Sequence, residues 1–285
     1  MIKKKTALKA VDGKLLQYKS IWISDIHLGT KGCQADMVLE FIKYTRSENL
    51  YLVGDIVDGW AIKNKWYWPQ QHNDVVQKIL RKARLGTRVF YIAGNHDEIL
   101  RKFIPINLGN VEILNQLIHE GINGKKYWVV HGDQFDGIIR YAKWLSRLGS
   151  TAYEGLIAFN RYLNYFRRHL GKEYWSLSKY LKFKVKNAVK FISEFEELVV
   201  KSAKKQKADG VICGHIHHPA MENMKAIEYK NCGDWVESCT ALVEHFDGTF
   251  ELIYWLDKRK EILTDTYVEE LSLIHISEPT RQSLI

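Results

Sequence analysis

The run SIWISDIHLG, Ser20 to Gly29, decides the fold. Ser20 to Ile23 is a short apolar stretch of β type that delivers Ser24-Asp25-Ile26-His27, a carboxylate and an imidazole one residue apart. On extended backbone, side chains at i and i+2 share a face. The same construction recurs along the chain. Leu50 to Val53 runs into Gly54-Asp55, and Arg88 to Ala93 into Gly94-Asn95-His96-Asp97. Tyr127 to Val130 runs into His131-Gly132-Asp133, and Val211 to Cys213 into Gly214-His215-Ile216-His217. Helical patterns lie between the early runs: Met37, Phe41 and Tyr44 on one stripe, then Val75, Ile79 and Leu80 with Lys78, Arg81 and Lys82 facing away. This β-α-β alternation predicts an α/β fold with helices outside a sheet, where ligands collect at the carboxyl ends of strands. Five strands are therefore expected to aim their ends at one place.

Composition fits such a body. The chain has 285 residues, 46% hydrophobic and 12% aromatic, enough for a sizeable core and inconsistent with disorder, collagen or coiled coil. No stretch approaches the length of a membrane-spanning apolar helix, and the basic start Met1 to Lys5 continues into mixed polar sequence, so neither a span nor a secretory signal is expected. Cys33, Cys213, Cys232 and Cys239 are scattered without paired spacing, as expected for reduced thiols in the cytoplasm.

The net charge of +9 is not spread evenly. Residues 137–193 hold twelve Lys or Arg against two Asp or Glu, a local +10, so the remainder is close to neutral. Ile138, Ala142, Leu145 and Leu148 form one apolar stripe there, and Leu181, Val185, Ala188 and Ile192 another, which predicts a basic helical cap inserted between strands. Ser178, Lys182 and Lys186 fall at i, i+4 and i+8, a ladder suited to a diphosphate, with Tyr174, Trp175, Tyr180 and Phe183 as apolar surface nearby. After residue 222 the pattern returns to β: Ile227 to Lys230, Ala241 to Phe246, an Asp247-Gly248 turn, and Phe250 to Leu256. Residues 1–270 read as a single domain. Leu271 to Arg281 reads like a translated sequencing-library adapter, so 271–285 is expected to be a non-native tail.

Asp25, His27, Asp55, Asn95, His131, His215 and His217 together form a mixed oxygen and imidazole set without thiolate. Such a set suits two divalent ions roughly 3.5 to 4 Å apart, Mn, Fe or Zn rather than Mg or a structural zinc–cysteine site, and Mn is the expected occupant. Glycine before Asp55, Asn95 and His215 allows the sharp turns that bring these side chains inward. Each motif alone is common; five in this order, each behind a β-type run, point to a metal site.

In that order the motifs resemble the calcineurin-like metallophosphoesterase superfamily over roughly residues 18 to 255. The resemblance implies a four-layer α-β-β-α sandwich with a helical cap. It also implies that Asp25, His27, Asp55 and His217 hold one ion, and Asp55, Asn95, His131 and His215 the other. SDIHLG, GDIVDGW from Gly54 to Trp60, His131-Gly132-Asp133 and the insertion are similar to the UDP-2,3-diacylglucosamine diphosphatase branch, whose reaction releases UMP and a lipid-sugar phosphate at the inner membrane. Two positions depart from that branch: His96 stands where Arg is usual, and Ile216 where Thr is usual. The expected reaction is in-line attack on phosphorus by a hydroxide held between the ions, with His96 meeting the phosphoryl oxygens or protonating the leaving group. Asp97 is the expected partner orienting His96, with Asp58 and Asp133 behind the ligands and His218 exposed.

Three functions compete at this point. One is a dimetal hydrolase of a nucleotide-lipid, peripheral at the cytoplasmic face of an anionic inner membrane. The second is a soluble metal-dependent phosphodiesterase or phosphatase acting on a small nucleotide or phosphodiester. The third is a scaffold or nucleic-acid binder that has lost its metals, disfavoured because all seven side chains are competent ligands and no nucleic-acid recognition motif is present.

Overall fold

The parallel pairing of the first three apolar runs sets the architecture. In the computed structural model, which describes residues 15–135 and 192–262, β1 (Leu16–Ile23) pairs in parallel with β2 (Thr45–Val53), and β2 with β3 (Arg88–Ile92). Their register levels the ends: Ile23 lies opposite Leu52 and Val53 opposite Ile92. The residues that follow all emerge at one edge. Three short strands come next, β4 (Ile106–Leu108), β5 (Val111–Leu114) and β6 (Gln116–Glu120), and then β7 (Lys126–Val130). The chain closes with β8 (Gly210–Cys213), β9 (Ala220–Met224), β10 (Ile227–Asn231), β11 (Thr240–Glu244) and β12 (Phe250–Tyr254).

Two sheets result, a seven-stranded one in the order β12-β11-β1-β2-β3-β5-β4 and a five-stranded one in the order β6-β7-β8-β10-β9. Central strands covered on both faces read as unbroken apolar runs, and Gly210 to Cys213 and Thr240 to Glu244 are buried throughout. Trp22, Tyr51, Ile92, Tyr127, Val129, Ile212 and Leu242 fill the space between the sheets, with Trp22 stacked on Tyr51 at 4.9 Å. On the outer face of the large sheet lie α1 (Ala35–Tyr44) and α3 (Gln70–Arg84), with the short α2 (Gly59–Asn64) between them in the chain. A helix at residues 192–205 covers the small sheet through Phe195, Val199 and Val200. These layers are the expected α-β-β-α sandwich.

Some local expectations are corrected. The buried stripe of α3 is His72, Val75, Ile79 and Ala83, and Leu80 is exposed because it lies about 100° around the helix from Ile79. Lys82 does not face away, for its ammonium donates to the Thr45 carbonyl. The last apolar run stops being a strand at Tyr254, and residues 255–262 are helical, which takes Leu256 out of the sheet. The Asp247-Gly248 hairpin is present, closed by Gly248 N–H to the His245 carbonyl at 3.0 Å. The cap apart from its last two residues, with Ser178, Lys182 and Lys186, lies outside the described residues, as does the tail 271–285. No helix among the described residues is long and apolar enough to cross a membrane.

Candidate metal centre

The seven expected ligands sit immediately beyond β1, β2, β3, β7 and β8, and all but the half-exposed His217 are buried. Left-handed backbone aims most of them. Asp25, His27, Asp55, His215 and His217 have φ between +51° and +73°, a conformation costing about 1–3 kcal/mol for an L residue. Hydrogen bonds between motifs hold it: Asp25 N–H to the Gly54 carbonyl at 3.1 Å, His27 N–H to Asp55 at 2.9 Å, and Gly214 N–H to His131 at 3.1 Å. Gly54 itself must lack a side chain, since a Cβ there would meet the His131 ring at 2.2 Å and its φ is +76°.

The two carboxylates are divided between bracing and binding. Asp25 Oδ2 accepts from His215 N–H at 2.8 Å, and Asp55 Oδ1 from His96 N–H at 2.8 Å. Their remaining oxygens face imidazoles. Asp25 Oδ1 lies 3.2 Å from His217 Nε2 and 3.8 Å from His27 Nε2. Asp55 Oδ2 lies 3.3 Å from His131 Nε2, 3.9 Å from His27 Nε2 and 3.8 Å from His96 Nε2. His215 Nδ1 is 3.3 Å from His131 Nε2. Donor atoms thus gather in two groups, Asp25 with His27 and His217, and Asp55 with His131 and His215, with His27, Asp55 and His96 forming a third that links them.

Tautomers follow from what the far nitrogens touch. His131 Nδ1–H donates to the Val53 carbonyl at 2.8 Å, which aims Nε2 at the site. His27 Nδ1–H donates to Asp58 Oδ2 at 3.1 Å. The same oxygen lies 2.9 Å from His96 Nδ1 without hydrogen-bond geometry, so one carboxylate bonds one ring and touches the other. Asp58 also caps α2, accepting from Ala61 N–H at 2.7 Å.

The donor set suits divalent cations. His27 Nε2 and both carboxamide atoms of Asn95 are buried without a hydrogen-bond partner, although such groups are ordinarily satisfied. Burial works to raise the Asp55 carboxyl, but His131 and the other imidazoles overcome it and hold it well below the carboxylate range. Asp25 is held at about 2, burial being outweighed mainly by His217. Burial pushes His131 down while Asp55 lifts it more, to about 10. Both carboxylates therefore call for positive charge.

One reading from the sequence changes. Asp97 does not orient His96: its oxygens accept from Gly94 N–H, Ile56 N–H at 3.1 Å and Tyr91 Oη–H at 2.6 Å, so it braces the turn below Asn95. Burial keeps that carboxyl above its usual range. Asp58 stands behind the ligand His27, as expected, and is also the carboxylate in contact with His96. Asp133 pairs with Arg101 at 2.8 Å, and His218 is exposed. Sequence reasoning missed Asn231 to Ser238, whose backbone and side chains pack behind Asp25 and Gly214. Trp60, read in the sequence only as the end of GDIVDGW, has its ring centre 4.3 Å from that of His96.

Residues 18–219 match the family described as calcineurin-like phosphoesterase. The UDP-2,3-diacylglucosamine hydrolase of Salmonella dublin is 23% identical over 222 residues, 73% of this chain and 85% of that protein. The DNA polymerase II small subunit of Thermoplasma acidophilum is 26% identical, over 75% of this chain and 44% of that subunit. Among solved structures, an archaeal phosphodiesterase aligns over 82% of this chain and 98% of its own, at 14% identity and a TM-score of 0.37.

Proposed function

The chain belongs to the calcineurin-like phosphoesterase family and is a phosphoester hydrolase, and from that premise we propose that it cleaves the diphosphate of UDP-2,3-diacylglucosamine or a related nucleotide-lipid, giving UMP and a lipid-sugar phosphate. The observation that carries the metal-dependent reading is the convergence of Asp25, His27, Asp55, His131, His215 and His217, with the buried Asn95 carboxamide left unpartnered. In this reading Asp25, His27, Asp55 and His217 hold one divalent ion, and Asp55, Asn95, His131 and His215 the other, with Mn²⁺ as the preferred occupant. Bound there, such ions polarise a phosphoryl oxygen and make water acidic enough to be a nucleophile near neutral pH.

The protein's own groups do the rest. His96 presents Nε2 to the same space as Asp55 Oδ2 while Asp58 lies against its other nitrogen, which places the ring to meet a phosphoryl oxygen or the departing group. Asp97 and Tyr91 keep the turn rigid beneath Asn95.

Support for the lipid comes from the Salmonella relative's name and from the surface beside the site. Trp60 and Trp66 are exposed, with Lys63 and Lys65 between and beside them, an aromatic and basic combination suited to an anionic bilayer surface. The basic ladder Ser178, Lys182 and Lys186 is assigned to the diphosphate in the same reading. The assay supplies Mn²⁺ with UDP-2,3-diacylglucosamine and, separately, with an aryl phosphodiester. UMP release from the lipid is the expected result, and turnover of the simple ester alone rejects the lipid in favour of a soluble phosphodiesterase.

A further inference from the structure

The loop after β10 ties together turns that carry ligands of both groups. Asn231 is fully buried, and both ends of its carboxamide are spent on backbone. Nδ2 donates to the Gly214 carbonyl at 2.9 Å, and Oδ1 accepts from Gly233 N–H at 2.9 Å. Gly214 opens the turn of His215 and His217, both held at positive φ. The Gly233 carbonyl accepts from Ser24 Oγ–H at 2.8 Å, and Trp235 N–H donates to the Asp25 carbonyl at 3.0 Å. One side chain therefore stands between the turn of the histidine pair and the turn of Asp25.

The approach leaves no slack. A Cβ on Gly214 would lie 2.5 Å from Ser24 Oγ and 2.6 Å from Asp25 Oδ2, and one on Gly233 would lie 2.0 Å from Thr240 Oγ1. Strand pairing sets the geometry, with Asn231 opposite Cys213 in the parallel β8–β10 ladder and Cys232 N–H bonded to the Cys213 carbonyl at 2.8 Å.

We propose that Asn231 is a positioning residue for metal binding: by fixing the Gly214 carbonyl and the Gly233 amide at once, it sets the relative placement of His215, His217 and Asp25. The inference rests on the dimetal reading and adds a residue that touches no ligand atom. Asp at this position keeps the acceptor for Gly233 but sets an oxygen against the Gly214 carbonyl, so the histidine turn loses its anchor. Partners that orient metal ligands are typically worth 10–100-fold in affinity.

The test is calorimetric titration of Mn²⁺ into ion-stripped wild type, Asn231→Asp, Ser24→Ala and Tyr229→Phe, with circular dichroism on each. Asn231→Asp is expected to bind about 10–100-fold more weakly, and Ser24→Ala, which loses the link to Gly233, to weaken in the same direction by less. Tyr229→Phe removes the hydroxyl 3.2 Å from Asn231 Nδ2 and leaves both backbone bonds, so its affinity should equal wild type. Wild-type affinity in folded Asn231→Asp overturns the proposal. If that variant does not fold, wild-type affinity in Ser24→Ala overturns it instead. A wild-type protein that binds no Mn²⁺ overturns the dimetal reading itself, which separates the two failures.

Discussion

Replacing Asp58 by Asn probes how the site is held in one protonation pattern. The substitution preserves shape and the cap on α2, because Asn Oδ1 still accepts from Ala61 N–H, 2.7 Å away in the native protein. What changes is the atom between the two rings. Oδ2 stands 3.1 Å from His27 Nδ1 and 2.9 Å from His96 Nδ1, and the carboxylate is nearly buried. The hydrogen bond from His27 to this charged partner contributes roughly 1.5–3 kcal/mol. An NH₂ group there needs acceptors, so each ring is driven to move its proton to Nε2. His27 then loses the lone pair it turns toward Asp25 and Asp55, and His96 loses its anchor. Loss of an orienting partner predicts about 10–100-fold weaker metal binding, with a fall in kcat as His27 and His96 lose their fixed placement. The assay is aryl phosphodiester hydrolysis across a Mn²⁺ titration, with a thermal melt of the ion-free protein alongside. Wild-type kcat and wild-type Mn²⁺ dependence in folded Asp58→Asn would refute the shared-carboxylate account.

Other consequences are equally open to measurement. Gly94→Ala places a Cβ 2.3 Å from Asp55 Oδ1 and 2.5 Å from the Asp55 backbone nitrogen, so it should lower stability by about 1–3 kcal/mol and weaken Mn²⁺ binding, read by denaturant unfolding and titration. At Glu244, burial raises the carboxyl, but His119 and the Ile122 N–H outweigh it and leave the group below its ordinary 4.5. A depressed carboxyl stabilises the fold above its unfolded value and loses that contribution as pH falls through the folded one. Denaturant unfolding of ion-free protein should therefore show a shallower loss of stability below about pH 4.5 in Glu244→Gln, and an unchanged acid limb would contradict this.

Much of the site is legible in the sequence because each ligand lies within a few residues of an apolar run, and parallel pairing then levels the ends of those runs. Asp25 and His27 follow directly on β1, but they reach the site from positive φ just beyond its end and not from the extended backbone expected for them. His131 needs only the end of β7. Asp58 and Asn231 are harder to read, since their roles depend on groups far away in the chain: His96 for the first, Gly214 and Ser24 for the second. Asp97 misleads for the same reason. Proximity to His96 suggests a pair, yet its carboxylate turns back toward Gly94, Ile56 and Tyr91, where three donors outcompete one ring. The strands β4, β5 and β6 escape periodicity because three to five residues do not establish a period. Leu80 shows the reverse failure, an apolar residue counted into a stripe that the helix rotates into solvent.

The central claim, that Asp55 serves two ions at once, is tested most directly by counting Mn²⁺ bound per chain by equilibrium dialysis in wild type and Asp55→Ala. The account predicts two ions per wild-type chain and, with the shared carboxylate removed, fewer than two together with loss of hydrolysis of both the nucleotide-lipid and the aryl ester. Full occupancy and wild-type turnover in Asp55→Ala would contradict it.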